Sequence, residues 1–565
     1  MNIYTMFILF CLVFFVHFSN CEPRIHFALK QNKEGVNMLR NYVLNECSNI
    51  HSKNYGKYLD IKTIQKMTQP STGVIKLAMR FINKFLKINS NNCFVFGDSI
   101  SCSVSMNHLA NLYKMRTTIN QHIPKSLFDF VEFPMKNMSK RLRFGKKYNH
   151  LKNNVVDSGF VTREVLLDFY NMPSEHGEKG FVNKTNVSAG AMEYQGQSGF
   201  SQTDMMKAQV ASNVPSNNVT NDHIIGVNQN DPDGESELDM AVIWWSAANV
   251  DLWYEDWTGW MYSWAQDFLK RPRDKRPQVV SLSWGWNERD QCSITSCNSS
   301  KVYVERTDIE FMKIAAMGTT IVVASGDAGS PGRTNELCDS GNDNINPVFP
   351  GSSEWVLSVG ATFVSNRNGT KNYNWTTPMC NHLTCVKGTT EEMTTFSQTG
   401  WTSGSGFSAW TATPKWQKNH VQKYLKSGVQ LPDAKYFNRN GRAYPDVSAF
   451  GHNCGMYDED EGGWTGEDGT SCSAPVIAGI ITYLNNFQLS RGKPLLGFVN
   501  PLLYTIYEAD PLSFHDIRFG NSSCTESACC GNQFGFVPQK GMWDVVSGLG
   551  TPDISRITTF LQKNI

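Results

Sequence analysis

Residues Gly469–Gly479 read GTSCSAPVIAG: a serine on a Gly-Thr turn, a second serine two residues on, a proline, and then small apolar residues. The continuation, APVIAGIITYLNNFQL, has helical character, so backbone N–H groups at a helix start would face any negative charge developing beside Ser471. A serine hydroxyl is a weak nucleophile and needs a neighbouring base. The fold and the chemistry both turn on where that base comes from.

Upstream, helical and strand patterns alternate. VYVERTDIEFMKIAAMG (302–318) has helical spacing and ends at Gly318, a suitable C′ residue. TTIVVASGD (319–327) follows as a short continuous apolar strand, the kind buried on both faces of a parallel sheet; PQVVSLSWGW (277–286) and EWVLSVGATF (354–363) are similar. Such alternation predicts an α/β domain with a doubly wound, mostly parallel sheet whose ligands lie at the carboxyl ends of the strands. Ser283 and Asp327 fall at such ends.

An imidazole base would require an Asp-Ser-Gly turn and a histidine opening a small-residue helix. Asp157-Ser158-Gly159 and His176-Gly177 imitate these, but EKGFVNKTN after His176 has neither a second histidine nor the small apolar residues that such a helix needs. GESELDMAVIWWSAANVDLWY (234–254) offers carboxylates instead: Glu235 and Asp239 stand i, i+4 on one face of a helix at its start. Glu237, in the same turn, is read as complementing the helix dipole.

The order ExxxD, then SGD at 325–327, then GTSxSxP resembles the sedolisin family of serine-carboxyl peptidases. Other blocks extend the resemblance along most of the chain. NYGKYLDIKTIQKMTQPS (54–71) is similar to the family's activation domain, and SLSWG (281–285), SGSGFS (403–408), GRAYPDVSA (441–449) and GLGTPD (548–553) to its catalytic domain. The resemblance implies a subtilisin-like catalytic domain behind a smaller α+β activation domain. It also implies Ser471 as nucleophile, Glu235 as general base, Asp239 as the group that orients it and shares its proton, and Asp327 as oxyanion donor. Removal of tripeptides from free N-termini is implied by one branch of the family; an endopeptidase and a non-catalytic lumenal relative are the alternatives. From FHDIRFG and GMWDVVSGLGTPD it implies one structural Ca²⁺ held by Asp516, Ile517 and Asp544.

Such a site suits acid. A carboxylate with a pKa of about 4 is matched as a base to pH about 4 to 5. An aspartic acid donates to an oxyanion only when protonated, and doing so at neutrality would require raising its pKa from about 4 to about 7. The expectation is an acid optimum and loss of activity by neutral pH.

The net charge of +1 conceals two opposed pieces. Residues 1–154 carry 22 Lys+Arg against 7 Asp+Glu, leaving 30 against 44 in the remainder. A basic N-terminal part laid on an acidic catalytic part, held by ion pairs that acid weakens, would be an intramolecular propeptide; no nucleic-acid partner is expected. KNMSKRLRFGKKYNHLK (136–152) reads as an exposed, protease-accessible linker. The expected divisions are signal peptide 1–21, activation domain 22–135, linker 136–154 and catalytic domain 155–565, with a mature start near 154–159. The apolar run near Met6–Val16 is short for a membrane span, although no Lys or Arg precedes it; an uncleaved anchor is the alternative.

Fifteen cysteines and eight Asn-x-Ser/Thr sequons (Asn137, Asn183, Asn186, Asn218, Asn298, Asn368, Asn374, Asn521) suit a secreted or lysosomal glycoprotein acting on peptides. Cys292/Cys297 and Cys380/Cys385 could close small loops. Three places depart from the family pattern. Lys540-Gly541-Met542 replaces its Gly-Pro-Gly, Asp468 stands where Ser is usual, and Cys472 stands where Ala is common and is read as a small packing residue.

Overall fold

The structure, a computed structural model, describes residues 23–134, 145–147, 160–175, 178–194, 198–212, 214, 218–229, 232–339, 345–365, 390–459 and 463–565. The signal-like segment, most of the linker, the expected mature start and the Cys380/Cys385 pair lie outside them.

The N-terminal unit is a four-stranded antiparallel sheet, order β2-β3-β1-β4, of β1 (Arg24–Leu29), β2 (Cys93–Phe96), β3 (Ser99–Ser103) and β4 (Phe128–Glu132). Helix α1 (Thr72–Leu86) covers it with Ala78, Ile82 and Leu86, a buried i, i+4, i+8 stripe. Ser71 caps α1 by accepting from Val74 N. The disulfide Cys93–Cys102 joins residues directly opposite in the β2–β3 hairpin.

A three-residue strand from the linker, β5 (Gly145–Lys147), belongs to a different sheet. Among the described residues the large sheet has eight strands. Its path runs from β12 (Thr390–Met393) through β11 (Leu357–Ser365), β10 (Thr320–Ala324), β9 (Val279–Leu282), β6 (Ser188–Tyr194) and β8 (Asp251–Trp257) to β7 (Ile224–Ile225), with β13 (Val447–Phe450) also pairing β11. Every pairing is parallel except the antiparallel β11–β12 edge. The predicted doubly wound sheet is therefore present. Its chain order reverses at β6, flanked by β8 and β9, and such a switch point opens a crevice outside the strand ends. Beyond the sheet, β14 (Cys454–Asp458) and β15 (Gly463–Gly469) form a hairpin, and β5 pairs on β15 with Gly145 opposite Gly469 and Lys146 opposite Asp468.

Three helices matter for function: α2 (Gly234–Ser246), α3 (Ser300–Ala316) and α4 (Thr470–Ser490). Gly318, at φ 89°, follows α3 as the left-handed C′ residue the sequence predicts. From Glu235 to Ser246, α2 is buried all round, consistent with its run of apolar side chains.

The N-terminal unit docks on α3. Ala28, Leu39, Val43, Ile64 and Phe130 share an apolar cluster with Trp264, Phe311 and Phe349 of the catalytic part. The buried ions there reverse the polarity expected from the overall charge. Asp98 and Asp129 of the N-terminal unit supply the acid, meeting Arg306 at 3.2 and 3.4 Å, and Lys313 reaches Asp98 at 2.6 Å. Among the described residues, Arg40 to Glu354 is the one pair that runs in the expected sense. Net charge describes mainly the solvated surface, where basic side chains need no partner; burial selects a few pairs with no regard to the total.

Candidate active site

The helices α2 and α4 pack along each other because α4 carries a glycine where they touch: a Cβ on Gly479 would lie 2.4 Å from Ile243 O and 2.8 Å from Ser246 Cβ. The small residues ending the GTSCSAPVIAG stretch are thus a contact surface for α2. Gly479 lies eight residues after Ser471, and Ile243 eight after Glu235, so the first turns of both helices meet at the strand ends.

Ser471 lies in the first turn of α4, which begins at Thr470 with Gly469 (φ 145°) as its N-cap. Its Oγ is buried and makes no hydrogen bond among the described residues. Its carbonyl would ordinarily accept from residue 475, but Pro475 has no N–H. Ser283, just past β9, turns its hydroxyl to that carbonyl at 3.4 Å and to both carboxyl oxygens of Asp239 at 2.9 and 2.8 Å. One hydroxyl therefore ties the two helix starts together.

Asp233 caps α2 by accepting from Ser236 N. Burial, then Glu235, then Asp233 drive the Asp239 carboxyl well above its ordinary pKa, with Ser283 opposing. A third carboxyl, Glu193 at the end of β6, is buried against the same pair. Burial, then Asp239, Glu235 and Asp233 raise its pKa, and Trp284 Nε1 donates to it at 2.7 Å. Like charges sharing an unsolvated site cannot all ionise, so the cluster retains protons. Glu237 stands in the first turn of α2, and its carboxyl also accepts from Ser201 N, at the N-cap of helix Gln202–Ala211, while burial raises its pKa to about 8.

Asp327 follows β10. Its Oδ1 accepts from both Thr470 N and Thr470 Oγ1 at 2.8 Å, while Thr470 Oγ1 accepts from Gly326 N at 3.1 Å. Its Oδ2 faces Arg333 at 3.7 Å. Burial raises the Asp327 pKa to about 7 against the opposing pull of Arg333 and of Thr470. Burial thus keeps Asp327 protonated from acid up to about neutral pH. A narrow pocket opens beside it, lined by Trp286, Asn287, Arg333 and Asn346.

All four residues singled out in the sequence, Glu235, Asp239, Asp327 and Ser471, therefore stand at one end of the sheet. Glu193 and Trp284 were missed. The available signal was an acidic residue next to last in the small, apolar strand SAGAMEY. Cys472 is not a free packing residue: it is disulfide-bonded to Cys454. Asp516 and Asp544 both brace the 539–541 loop. Gly541 N donates to Asp516, and Gln539 N to Asp544 Oδ2, while Asp544 Oδ1 accepts from Val546 N, Ser547 N and Ser547 Oγ. Ile517 between them is buried.

The subtilase family model matches residues 223–491. Physarolisin of Physarum polycephalum is 34% identical over 570 residues, covering 95% of this chain and 93% of its own. Tripeptidyl-peptidase 1 of Rattus norvegicus is 28% identical, covering 94% and 90%. Among solved structures, Pseudomonas sedolisin, a serine-carboxyl proteinase complexed with two molecules of pseudo-iodotyrostatin, aligns with a TM-score of 0.50 at 20% identity over 72% of this chain and 98% of that one. The fold and site define a serine peptidase with a subtilisin-like catalytic domain. Within that class the chain belongs to the sedolisin family of serine-carboxyl peptidases.

Proposed function

We propose that the protein is an acid-active peptidase made as an inactive precursor, and that it releases tripeptides from free N-termini. The supporting observation is the single hydroxyl of Ser283 that joins Asp239 to the Ser471 turn, beside a carboxyl cluster that retains protons. In this reading Glu235 takes the Ser471 proton as the hydroxyl attacks a peptide carbonyl. Asp239 orients Glu235 and shares its proton. Asp327, protonated, donates Oδ2–H to the resulting oxyanion, and Glu235 returns its proton to the leaving amine. The tripeptide unit is taken from the likeness to tripeptidyl-peptidase 1.

Precursor character is supported by β5. The linker's backbone is paired against Gly469, two residues from Ser471, and touches both α2 and α4. A peptide chain lying there would compete with substrate until it is cut. The disulfides and sequons support passage through the secretory pathway to a lysosome or the exterior. No helix among the described residues is long and apolar enough to cross a membrane.

A structural Ca²⁺ is part of the proposal. Asp544 is wholly buried, and burial raises its pKa to about 7 despite four hydrogen-bond donors, so a cation beside it would be favoured. Asp516, the Ile517 carbonyl and Asp544 are the ligands proposed; Arg518, 2.8 Å from Asp516, would have to share that carboxylate. The ion would fix the 539–541 loop and take no part in the chemistry.

The deciding experiment incubates purified precursor and its Ser471→Ala variant at pH 3.5 to 5.5 with peptides bearing free or blocked N-termini. Tripeptides released only from free ends establish the exopeptidase, and internal cuts assign an endopeptidase. Identical behaviour of the two proteins refutes catalysis by Ser471.

A further inference from the structure

The residues around Ser471 are fastened one by one, and the two that depart from the family pattern do much of the fastening. Asp468 is buried at the end of β15. Its carboxylate accepts from Asn453 N at 2.7 Å and Trp401 Nε1 at 3.0 Å, and meets His452 Nδ1 at 3.0 Å. Gly469 N donates to Gly451 O at 2.9 Å. Beyond the nucleophile, Cys472 is disulfide-bonded to Cys454, and Ser473 Oγ donates to Ala449 O and Phe450 O at 3.1 and 3.0 Å. All these contacts reach residues 449–454 or Trp401.

We propose that the Asp468 carboxylate and the Cys454–Cys472 disulfide together form a positioning clamp that fixes the Ser471 turn against residues 451–454. This rests on the reading of Ser471 as nucleophile. Neither group touches the reacting atoms, so both are positioning residues.

The anchor itself is rigid. Segment 451–454 continues directly from β13, a strand of the central sheet, and Gly451 N donates to Thr362 O in β11 at 3.0 Å. At Gly451 a Cβ would meet Ala361 Cβ and Ser473 Oγ at 2.6 Å each, so this backbone sits hard against both the sheet and α4. Asn453 holds a left-handed φ of 55°, and its N–H is one of those that Asp468 accepts. His452 is held edge-on to Phe363 at 5.9 Å.

The clamp becomes more important once the linker is removed. In the precursor, β5 lies on the end of β15 and pairs with Asp468 and Gly469 through the backbone. Processing takes that edge partner away, just when the turn must hold its geometry for catalysis. The side-chain carboxylate and the disulfide act from the 451–454 side and remain. A displacement of about 1 Å at a reacting group can cost about 10²-fold in rate, so loosening this turn should appear in kcat.

The test compares Asp468→Asn, Asp468→Ala and the double variant Cys454→Ala/Cys472→Ala with the unsubstituted enzyme and Ser471→Ala. All are expressed as full-length precursor and acid-activated. Steady-state kinetics on one peptide, active-site titration with a fluorophosphonate probe and thermal melting are measured on each. We expect kcat per titrated site to fall about 10- to 100-fold in the cysteine pair and in Asp468→Ala, with KM within about threefold and probe labelling slowed in step. Asp468→Asn, which keeps an acceptor for Asn453 N, should recover part of the loss. If the melting temperature drops while kcat per titrated site stays unchanged, the clamp is merely structural and the proposal is overturned. Should the cysteine pair fail to fold, the two Asp468 variants decide by the same criteria. Activity surviving in Ser471→Ala would bring down the underlying assignment instead, whereas an inactive Ser471→Ala beside unaffected clamp variants removes only the clamp.

Discussion

Thr470 gives both its backbone N–H and its hydroxyl to one oxygen of Asp327, each at 2.8 Å. The other oxygen is thereby left to carry a proton toward the site, because an oxygen already accepting two hydrogen bonds is the poorer place for it. With its pKa raised to about 7, Asp327 is protonated in acid and loses that proton as the pH passes 7. We predict that Asp327→Ala lowers kcat by about 10²- to 10³-fold. Asp327→Asn can still accept from Thr470 and present an N–H, so its loss should be smaller. The alkaline fall of kcat that Asp327 causes should be absent from its pH profile, measured from pH 3 to 8.

Ser283 makes the second prediction. Its hydroxyl stabilises the ionised form of Asp239, working against burial and Glu235. Ser283→Ala removes that support, so the pair's apparent pKa rises and the acid limb of kcat/KM moves to higher pH. The same change frees the Ser471 carbonyl that Pro475 cannot serve. We expect a loss of about tenfold in kcat at the optimum, since a hydrogen bond to a charged group is worth about 1.5 to 3 kcal/mol at most. An unmoved acid limb would show that Ser283 does not tune the pair.

Much of this site was legible because catalytic groups on a doubly wound sheet collect at strand ends and helix starts, places that apolar runs and glycines mark clearly. SGD after a buried strand placed Asp327, and ExxxD at a helix start placed Glu235 with Asp239. Glu193 was not found, since nothing in SAGAMEY says that its acidic residue faces another strand's crevice rather than solvent. Cys472 was misread for a related reason. Its partner, Cys454, lies eighteen residues earlier, across a hairpin whose register the sequence leaves open. The buried ion pairs under the N-terminal unit were read with the wrong polarity, because a sum over 154 residues contains no information on which few are buried.

Those ion pairs carry the third prediction. Burial opposes ionisation of Asp98, but Lys313 and Arg306 hold its carboxyl below the ordinary value. A group whose pKa is depressed by docking stabilises the docked state above its free pKa, about 3.9, and loses that contribution as the pH falls through the docked value. Glu132 acts oppositely: burial raises its pKa, so protonation favours docking and weakly resists acid release. We predict that Asp98→Asn shifts release of the N-terminal unit to higher pH, and that Glu132→Gln does not. Size-exclusion chromatography of a Ser471→Ala precursor, nicked in the linker and equilibrated from pH 3 to 6, measures both.

Asp544 supplies the last prediction. Four hydrogen-bond donors converge on its carboxylate, yet burial still lifts its pKa to about 7, so at pH 5 the cation-free site would be largely protonated. Calcium bound there would hold the ionised form, and its affinity would weaken as the pH falls through that value because protons compete for the same oxygens. At a free concentration of about 100 times Kd the ion adds about 2.7 kcal/mol to stability, which in a catalytic domain of this size raises the melting temperature by a few degrees. Chelation at pH 6 should therefore lower the melting temperature, calcium should restore it, and magnesium should not, since it demands a tighter octahedral shell. Asp544→Asn should melt at the chelated value and respond to neither treatment. If chelator leaves the unsubstituted protein's melting temperature unchanged across pH 4 to 7, the 539–541 loop is held by its hydrogen bonds alone and the calcium assignment falls.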